Sequence, residues 1–255
     1  MSALSAATAL RRGRVVVASL AALTAACWCY LFAVDVAMGT MGSPLAMPMT
    51  SVWSLPDLIL MLTMWVVMMA AMMIPSAAPM IAAYAATVHS PRATVEGSTP
   101  LFVIGYVAVW GGFALVATGA QWALHDAALV NAMGASTSRW LAGPVLVAAG
   151  AYQFTGLKRA MLGRCRTPLG FLLTEWRSGA RGAFLMGAHH GVLCVGCCWA
   201  LMGLLFVFGV MNLWWIAALT TVVLVEKVTT TDLAPRVLGT GLAMWGGLTM
   251  LGAWP

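Results

Sequence analysis

Charged side chains are the scarcest class in this sequence. Only 8% of its 255 residues are Asp, Glu, Lys or Arg, whereas 62% are hydrophobic and the mean hydropathy is +0.93. A soluble domain of this length needs far more charge to cover its surface. The scarcity of charge therefore excludes a soluble protein and predicts an integral membrane protein whose main partner is the lipid bilayer.

Carboxylates are rarer still, with seven Asp and Glu in the whole chain. Their near absence from the apolar runs argues against Mg²⁺, Ca²⁺ and di-iron sites. The sequence also lacks a Gly-x-x-x-x-Gly-Lys loop, so it does not hydrolyse a nucleotide with a motif of that kind. We expect a binding or transport role rather than an enzymatic one, and any transport would be passive, gradient-coupled or powered by a partner.

Seven apolar runs are predicted to cross the membrane as helices. They indicate an all-α, polytopic membrane helix bundle, in which residues 15–255 form a single transmembrane domain after a basic cytoplasmic leader at residues 1–14. The predicted spans are residues 15–34, 58–84, 101–124, 140–157, 183–210, 213–225 and 237–254.

The basic residues set the predicted orientation of these spans. The net charge of +6 comes from Lys and Arg in short connections, which is typical of orientation signals and not of a nucleic-acid surface. With the N-terminus in the cytoplasm, twelve of the 13 Lys and Arg lie on the cytoplasmic side, and only Arg139 lies outside. We therefore expect the N-terminus inside, the C-terminus outside and no nucleic-acid partner.

Six cysteines are present, and five of them lie in apolar runs, while Cys165 lies in a basic connection predicted to be a loop. A disulfide framework fits this distribution poorly. The fifth predicted span carries His190, Cys194, Cys197 and Cys198 within an arc of about 100° on one helix face. Three thiols and an imidazole grouped in this way supply a ligand set for a soft metal.

Methionines form a second sulfur face on the second predicted span. Met64, Met68 and Met72 share one side of that helix, at a depth close to that of the cysteines. Thiolates and thioethers together favour Cu(I) over Zn²⁺ or iron. Two further methionines, Met47 and Met49, lie in the outer connection, where extracytoplasmic copper would arrive. The competing interpretation is that these Cys and Met side chains only fill the core.

Small residues on the fifth span predict close helix packing around this site. Gly187, Gly191 and Gly196 remove bulk from its surface, so that a neighbouring helix can approach.

Several segments resemble a known family. They are Met-Met-Ile-Pro at residues 72–75, Gly-Tyr-Val-Ala-Val-Trp at 105–110, Gly-Cys-Cys-Trp at 196–199 and Glu-Lys at 226–227. Over roughly residues 55–235 the chain is similar to the bacterial predicted metal-binding integral membrane proteins, a family of unknown function in which some members are labelled copper chaperones. The resemblance implies a metal-linked protein of the bacterial inner membrane, without an established reaction.

Four functions remain open at this point. The first is Cu(I) handling by a chaperone or transporter that loads a membrane copper enzyme. The second is a membrane thiol oxidoreductase, because Cys194 and Cys197 form a Cys-x-x-Cys pair. The third is a haem-binding subunit that uses His190 as an axial ligand. The fourth is a structural or accessory subunit that packs against other membrane subunits.

Overall fold

A computed structural model describes residues 3–38, 53–88, 98–131 and 133–252, with side chains from Gly13 onward. These residues form helices joined by short connections, and the described ranges contain two isolated β-bridges but no strand. The helices are α1 Ala3–Met38, α2 Leu55–Val88, α3 Ser98–Asp126, α4 Arg139–Tyr152, α5 Gly156–Arg166, α6 Pro168–Thr174, α7 Gly179–Gly203, α8 Leu205–Phe208, α9 Leu213–Val228 and α10 Leu233–Met250. The predicted all-α class is confirmed. The outer-connection methionines Met47 and Met49 lie outside the described residues.

Four stretches of the described chain are long and apolar enough to cross a membrane. They are Gly13–Met38, Leu55–Val88, Ser98–Asp126 and Gly179–Phe208. The other three predicted spans correspond to α4, α9 and α10, which have 14, 16 and 18 residues. At 1.5 Å per residue these helices are only about 21, 24 and 27 Å long. The chain has the character of a membrane protein, and the count of seven crossings and the sides of the termini stay predictions.

The ends of α1, α2 and α3 alternate between two opposite sides of the protein, as the predicted connections require. The C-terminal part of α1, with Trp28 and Asp35, lines one cavity together with the α3–α4 connection and the start of α9. Trp53 before α2 and His125 at the end of α3 are also in ring contact, at 5.3 Å. The N-terminal part of α1 lies at the opposite end, near Ile81 of α2 and the start of α3.

The closest helix pair on the described chain is α3 against α7, and glycines allow the contact. A Cβ atom on Gly187 would lie 1.9 Å from the carbonyl oxygen of Phe102, and one on Gly105 would lie 2.1 Å from that of Phe184. Gly191 similarly faces Val109 at 3.0 Å. The predicted role of these α7 glycines in close packing is therefore confirmed.

The connection between the fourth and fifth predicted spans is helical, contrary to the prediction of a loop. α4 ends at Tyr152, and α5 begins after Thr155, whose hydroxyl accepts a hydrogen bond from the backbone N–H of Lys158 at 3.2 Å. Lys158, Leu162 and Cys165 are buried on one side of α5, while Arg159 and Arg164 on its other side are exposed. The exposed arginines gave this segment the composition of a loop, although its apolar spacing is that of an amphipathic helix.

A buried ion pair fixes α5 against α9. Nζ of Lys158 lies 2.7 Å from Oε2 of Glu226, and both side chains are almost completely buried. Nε of Arg166, at the other end of α5, donates to the carbonyl oxygen of Glu226 at 2.8 Å. Burial raises the pKa of the Glu226 carboxyl, and the charge of Lys158 opposes this rise. Both ends of α5 are thus attached to the same turn of α9.

Candidate metal site

The predicted face of α7 is buried in the protein interior. His190, Cys194, Cys197 and Cys198 are each no more than 2% exposed. They share a face because α7 runs without interruption from Gly179 to Gly203. All six cysteines are free thiols.

One methionine of α2 reaches these thiols, and it is Met73. Its Sδ lies 4.0 Å from Sγ of Cys198. The hydroxyl of Tyr106 on α3 donates to the carbonyl oxygen of Met73 at 3.2 Å and lies 3.1 Å from Sγ of Cys194. We call Cys194, Cys197, Cys198 and Met73 the sulfur site. It lies where α2, α3 and α7 meet.

The three methionines predicted as ligands lie on another side of α2. Met64, Met68 and Met72 are fully buried. On an ideal helix they project about 180°, 140° and 100° away from Met73. The rotation of α2 about its axis brings Met73 to the thiols.

A cation touches the sulfur site. Nζ of Lys227, at the end of α9, lies 3.0 Å from Sγ of Cys194 and 2.8 Å from Oγ of Ser76. The lysine side chain is partly buried. A positive charge in this position compensates negative charge on the cysteine sulfur atoms. The neighbouring residues Glu226 and Lys227 turn to different partners, since Glu226 pairs with Lys158 and Lys227 contacts Cys194.

The thiols are engaged in internal hydrogen bonds. Sγ of Cys197 and Sγ of Cys198 donate to the carbonyl oxygen of Cys194 at 3.1 and 3.0 Å. Within the part of the chain that the structure describes, no three His, Cys, Asp or Glu side chains are arranged to hold a metal ion as they stand. Such hydrogen bonds are each worth about 0.5–1.5 kcal/mol, so rotation of a thiol toward a metal costs little.

His190 packs among aromatic rings one turn before Cys194. Its ring lies 5.7 Å from the rings of Tyr106 and Phe171 and 6.2 Å from that of Phe102. Nδ1 of His190 is buried and has no hydrogen-bond partner among the described residues. A buried nitrogen without a partner is costly, and a bound metal is one group that would satisfy it.

A fourth thiol lies beside the sulfur site, on α5. Cys165 is 9% exposed and lies on the buried side of α5, which packs against α7. Sδ of Met161, one turn earlier on α5, lies only 1.9 Å from the position that a Cβ atom on Gly196 would occupy. Sequence reasoning missed both residues because the segment was interpreted as a loop. Lys158, Leu162 and Cys165 are spaced so that they share one face of a helix, and this spacing was the sequence signal that could have revealed the two residues.

A family model described as PpoB2, copper chaperone, matches residues 62–249. This range covers most of α2 and all of the helices from α3 to α9. It includes the four residues of the sulfur site, His190, Lys227 and Cys165. No curated protein and no solved structure matches the chain.

Proposed function

This chain belongs to the PpoB2 copper chaperone family, and from that premise we propose that it binds Cu(I) as cargo at the sulfur site and passes it to another protein. The family supports copper handling in general. The choice of Cu(I), the ligands and the transfer are our proposal, and each depends on the side chains described above.

The contact between Met73 and Cys198 is the observation that carries this proposal. A thioether 4.0 Å from a thiol, beside two further thiols of the same helix face, is a set of soft donors. Cu(I) accepts two or three such ligands, whereas Zn²⁺ has little use for a thioether. We place the ion between Cys194, Cys198 and Met73, with Cys197 adjacent.

The charge of the site favours a monovalent ion with two thiolates. Cu⁺ and the Lys227 ammonium together carry two positive charges, and two thiolates balance them. A neutral arrangement avoids the large cost of an uncompensated charge in a low-dielectric interior. Lys227, 3.0 Å from Cys194, is close enough to provide this compensation.

The remaining predicted ligands enter the proposal in supporting roles. His190 offers an unpaired Nδ1 one turn from Cys194. Met64, Met68 and Met72 lie along α2 as a second row of buried thioethers. We propose that this row exchanges the ion with the sulfur site, since thioethers bind Cu(I) without having to release a proton.

We further propose that the recipient is a membrane-bound copper enzyme, and that the protein works in the inner membrane of a bacterium. Four helices that are long and apolar enough to cross a membrane support the choice of a membrane partner. The absence of a nucleotide-binding motif from the sequence is in keeping with transfer driven by ligand exchange.

Metal analysis of the purified protein tests the proposal. The full chain is produced with added copper, solubilised in detergent and kept under reducing conditions, and the copper content per chain is measured. A Cys194→Ser/Cys197→Ser/Cys198→Ser variant is compared with a Cys27→Ser/Cys29→Ser variant, which removes two thiols of α1. We expect about one copper per chain in the parent and in the α1 control, and its loss in the triple variant.

X-ray absorption at the copper edge then identifies the ligands, and sulfur at a distance typical of Cu(I) thiolate is the expected result. Equal copper in all three proteins would contradict the proposal. No copper in any of them, together with a cysteine oxidation state that follows quinone supply, would favour the thiol oxidoreductase. No copper and no such redox response would favour a structural subunit.

A further inference from the structure

Helix α5 lies against one side of the sulfur site and carries two further sulfur-containing side chains, Met161 and Cys165. Its buried side presents Met161 toward Gly196 and carries Cys165 one turn further along the helix. Its other side is open, with Arg159, Gly163 and Arg164 exposed. Cys165 therefore lies one side chain beneath the surface of the described chain, whereas Cys194 and Cys198 are completely enclosed.

The thiols consequently form two pairs. Cys194 and Cys198 face Met73 on α2, Tyr106 on α3 and Lys227 on α9. Cys197 is the member of the α7 group nearest to α5, because on an ideal helix it projects about 100° from Gly196, which faces Met161 of α5, against about 160° for Cys194 and Cys198. This second pair stands between the enclosed pair and the surface.

Specific polar contacts fix the position of α5 against its neighbours. The Lys158–Glu226 ion pair and the Arg166–Glu226 hydrogen bond attach it to α9 at both ends. Gly196 leaves the space that the Met161 thioether fills. Ion pairs buried to this degree fix geometry more than they add stability.

We propose that Cys165 and Cys197 form a second Cu(I) position, through which the ion moves between the enclosed thiols and an acceptor at the surface of α5. This inference rests on the proposed function, because it describes how the same cargo reaches and leaves the sulfur site. Met161 is a thioether contact beside this second position.

The transfer is a ligand exchange without oxidation or reduction. A Cu–S bond to Cys197 and then one to Cys165 forms as the bonds to Met73, Cys198 and Cys194 break, and copper remains Cu(I). Each incoming thiol loses its proton, each released thiolate takes up one proton, and the released Met73 thioether needs none. Net charge is unchanged at every step, so Cu⁺ and the Lys227 ammonium together balance two thiolates throughout. Exchange through intermediates with one extra sulfur ligand avoids a free ion.

Release kinetics test this role. The full-length protein, loaded with one Cu(I) in detergent, is mixed with excess bathocuproine disulfonate, a water-soluble Cu(I) chelator, and the coloured complex is followed. We expect Cys165→Ser to keep the copper at equilibrium but to release it at least about tenfold more slowly, the scale of effect for one lost supporting contact. Met161→Leu should slow release less, and Cys29→Ser should behave as the parent does.

The possible outcomes separate this inference from the proposed function. Release from Cys165→Ser at the parental rate would overturn the second position and leave the sulfur site in place. A parent that binds no copper would overturn the proposed function itself. Thermal unfolding of each variant shows whether a slow rate arises from a damaged fold, and a variant with an unchanged midpoint is the one that counts.

A second measurement uses the unmodified chain and so does not depend on a variant that folds. Metal-free and Cu(I)-loaded protein are treated with N-ethylmaleimide, and the alkylation of each cysteine is quantified by mass spectrometry. We expect copper to protect Cys165 together with Cys197, while Cys29 reacts equally in both states. Equal alkylation of Cys165 with and without copper would contradict the proposal.

Discussion

At the scale of single residues, the contact between Lys227 and Cys194 distinguishes this site from ordinary core packing. A lysine ammonium is rarely placed against a thiol in an apolar interior, because its desolvation is costly without a negative partner. The contact at 3.0 Å makes chemical sense if Cys194 carries negative charge, either alone or as a ligand of Cu(I). If this position only had to fill space in the core, Leu or Met would do so as well as Lys227.

Removal of this charge should weaken copper binding. In Lys227→Met the neutralising charge is lost while the apolar stem is kept, so a two-thiolate Cu(I) complex would carry an uncompensated negative charge. We expect the Cu(I) affinity to fall by about tenfold or more, measured by competition with a chromophoric Cu(I) chelator. Lys227→Arg keeps the charge and is the control. An equal loss in both variants would mean that the shape of the lysine, and not its charge, matters.

The choice of thioether gives a second prediction at this scale. Met73→Leu conserves volume, so the fold should tolerate it at a cost below about 1.5 kcal/mol. We expect its Cu(I) affinity to drop by at least about tenfold because a metal contact is lost. Met68→Leu, on another side of the same helix, is the matched control in the same competition titration. If Met68→Leu proved the weaker binder, the predicted row Met64, Met68 and Met72 would be the true thioether ligands.

At the scale of helices, the sulfur site depends on how closely α3 approaches α7. Tyr106 reaches Cys194 and Met73 only because Gly105 and Gly187 let the two backbones come together. In a membrane interior, such small residues permit the van der Waals contact that drives helix association. The glycines thus position the groups around the thiols.

The substitution Gly187→Ala should separate these helices. A new Cβ atom would lie 1.9 Å from the Phe102 carbonyl oxygen, so the backbones must shift. We expect a loss of about 1–3 kcal/mol or more, as for overpacked cores, seen as a lower unfolding midpoint in detergent. Gly203→Ala, near the end of the same helix where a Cβ meets no atom within 4 Å, should be neutral or slightly stabilising. Equal stability of the two variants would refute the close contact.

At the scale of the whole molecule, long and short helices are combined. The four stretches that qualify as membrane spans stand beside α4, α9 and α10, which are shorter than a typical span. The sulfur site lies at the level where α9 ends, because Lys227 in its last turn reaches Cys194. Because α9 is short, its polar last turn lies at the level of the thiols. In a full-length span the same turn would lie beyond the thiols.

The number of crossings can be determined from the sides of the two termini. If all seven predicted spans cross, the N-terminus lies inside and the C-terminus outside, as the distribution of Lys and Arg predicts. If only the four long stretches cross, both termini lie on the same side. We expect a C-terminal alkaline phosphatase fusion to be active and a C-terminal green fluorescent protein fusion to be dark. The reverse pattern at the C-terminus would contradict the predicted seven-span topology, in which the N-terminus lies inside and the C-terminus outside.

The sequence by itself determined the membrane character, the helical class and the shared face of His190, Cys194, Cys197 and Cys198. These features depend on composition and on the 3.6-residue period, which are properties of a single segment. The glycines of α7 likewise predicted close packing of a neighbouring helix. The thiols and thioethers favoured copper, the family resemblance added a metal-linked role, and the family match agrees with copper handling.

Only the tertiary structure decided which groups meet the thiols. Met73 and Cys198 are 125 residues apart in the chain, and Lys227 is 33 residues from Cys194. Such pairs depend on the rotation and depth of each helix relative to its neighbours, and no local pattern encodes either quantity. For the same reason Cys165 looked like a loop residue until α5 was placed against α7. The grouped thiols of one helix were readable from its sequence, whereas the nearby lysine, the thioether and the fourth thiol required the packed bundle.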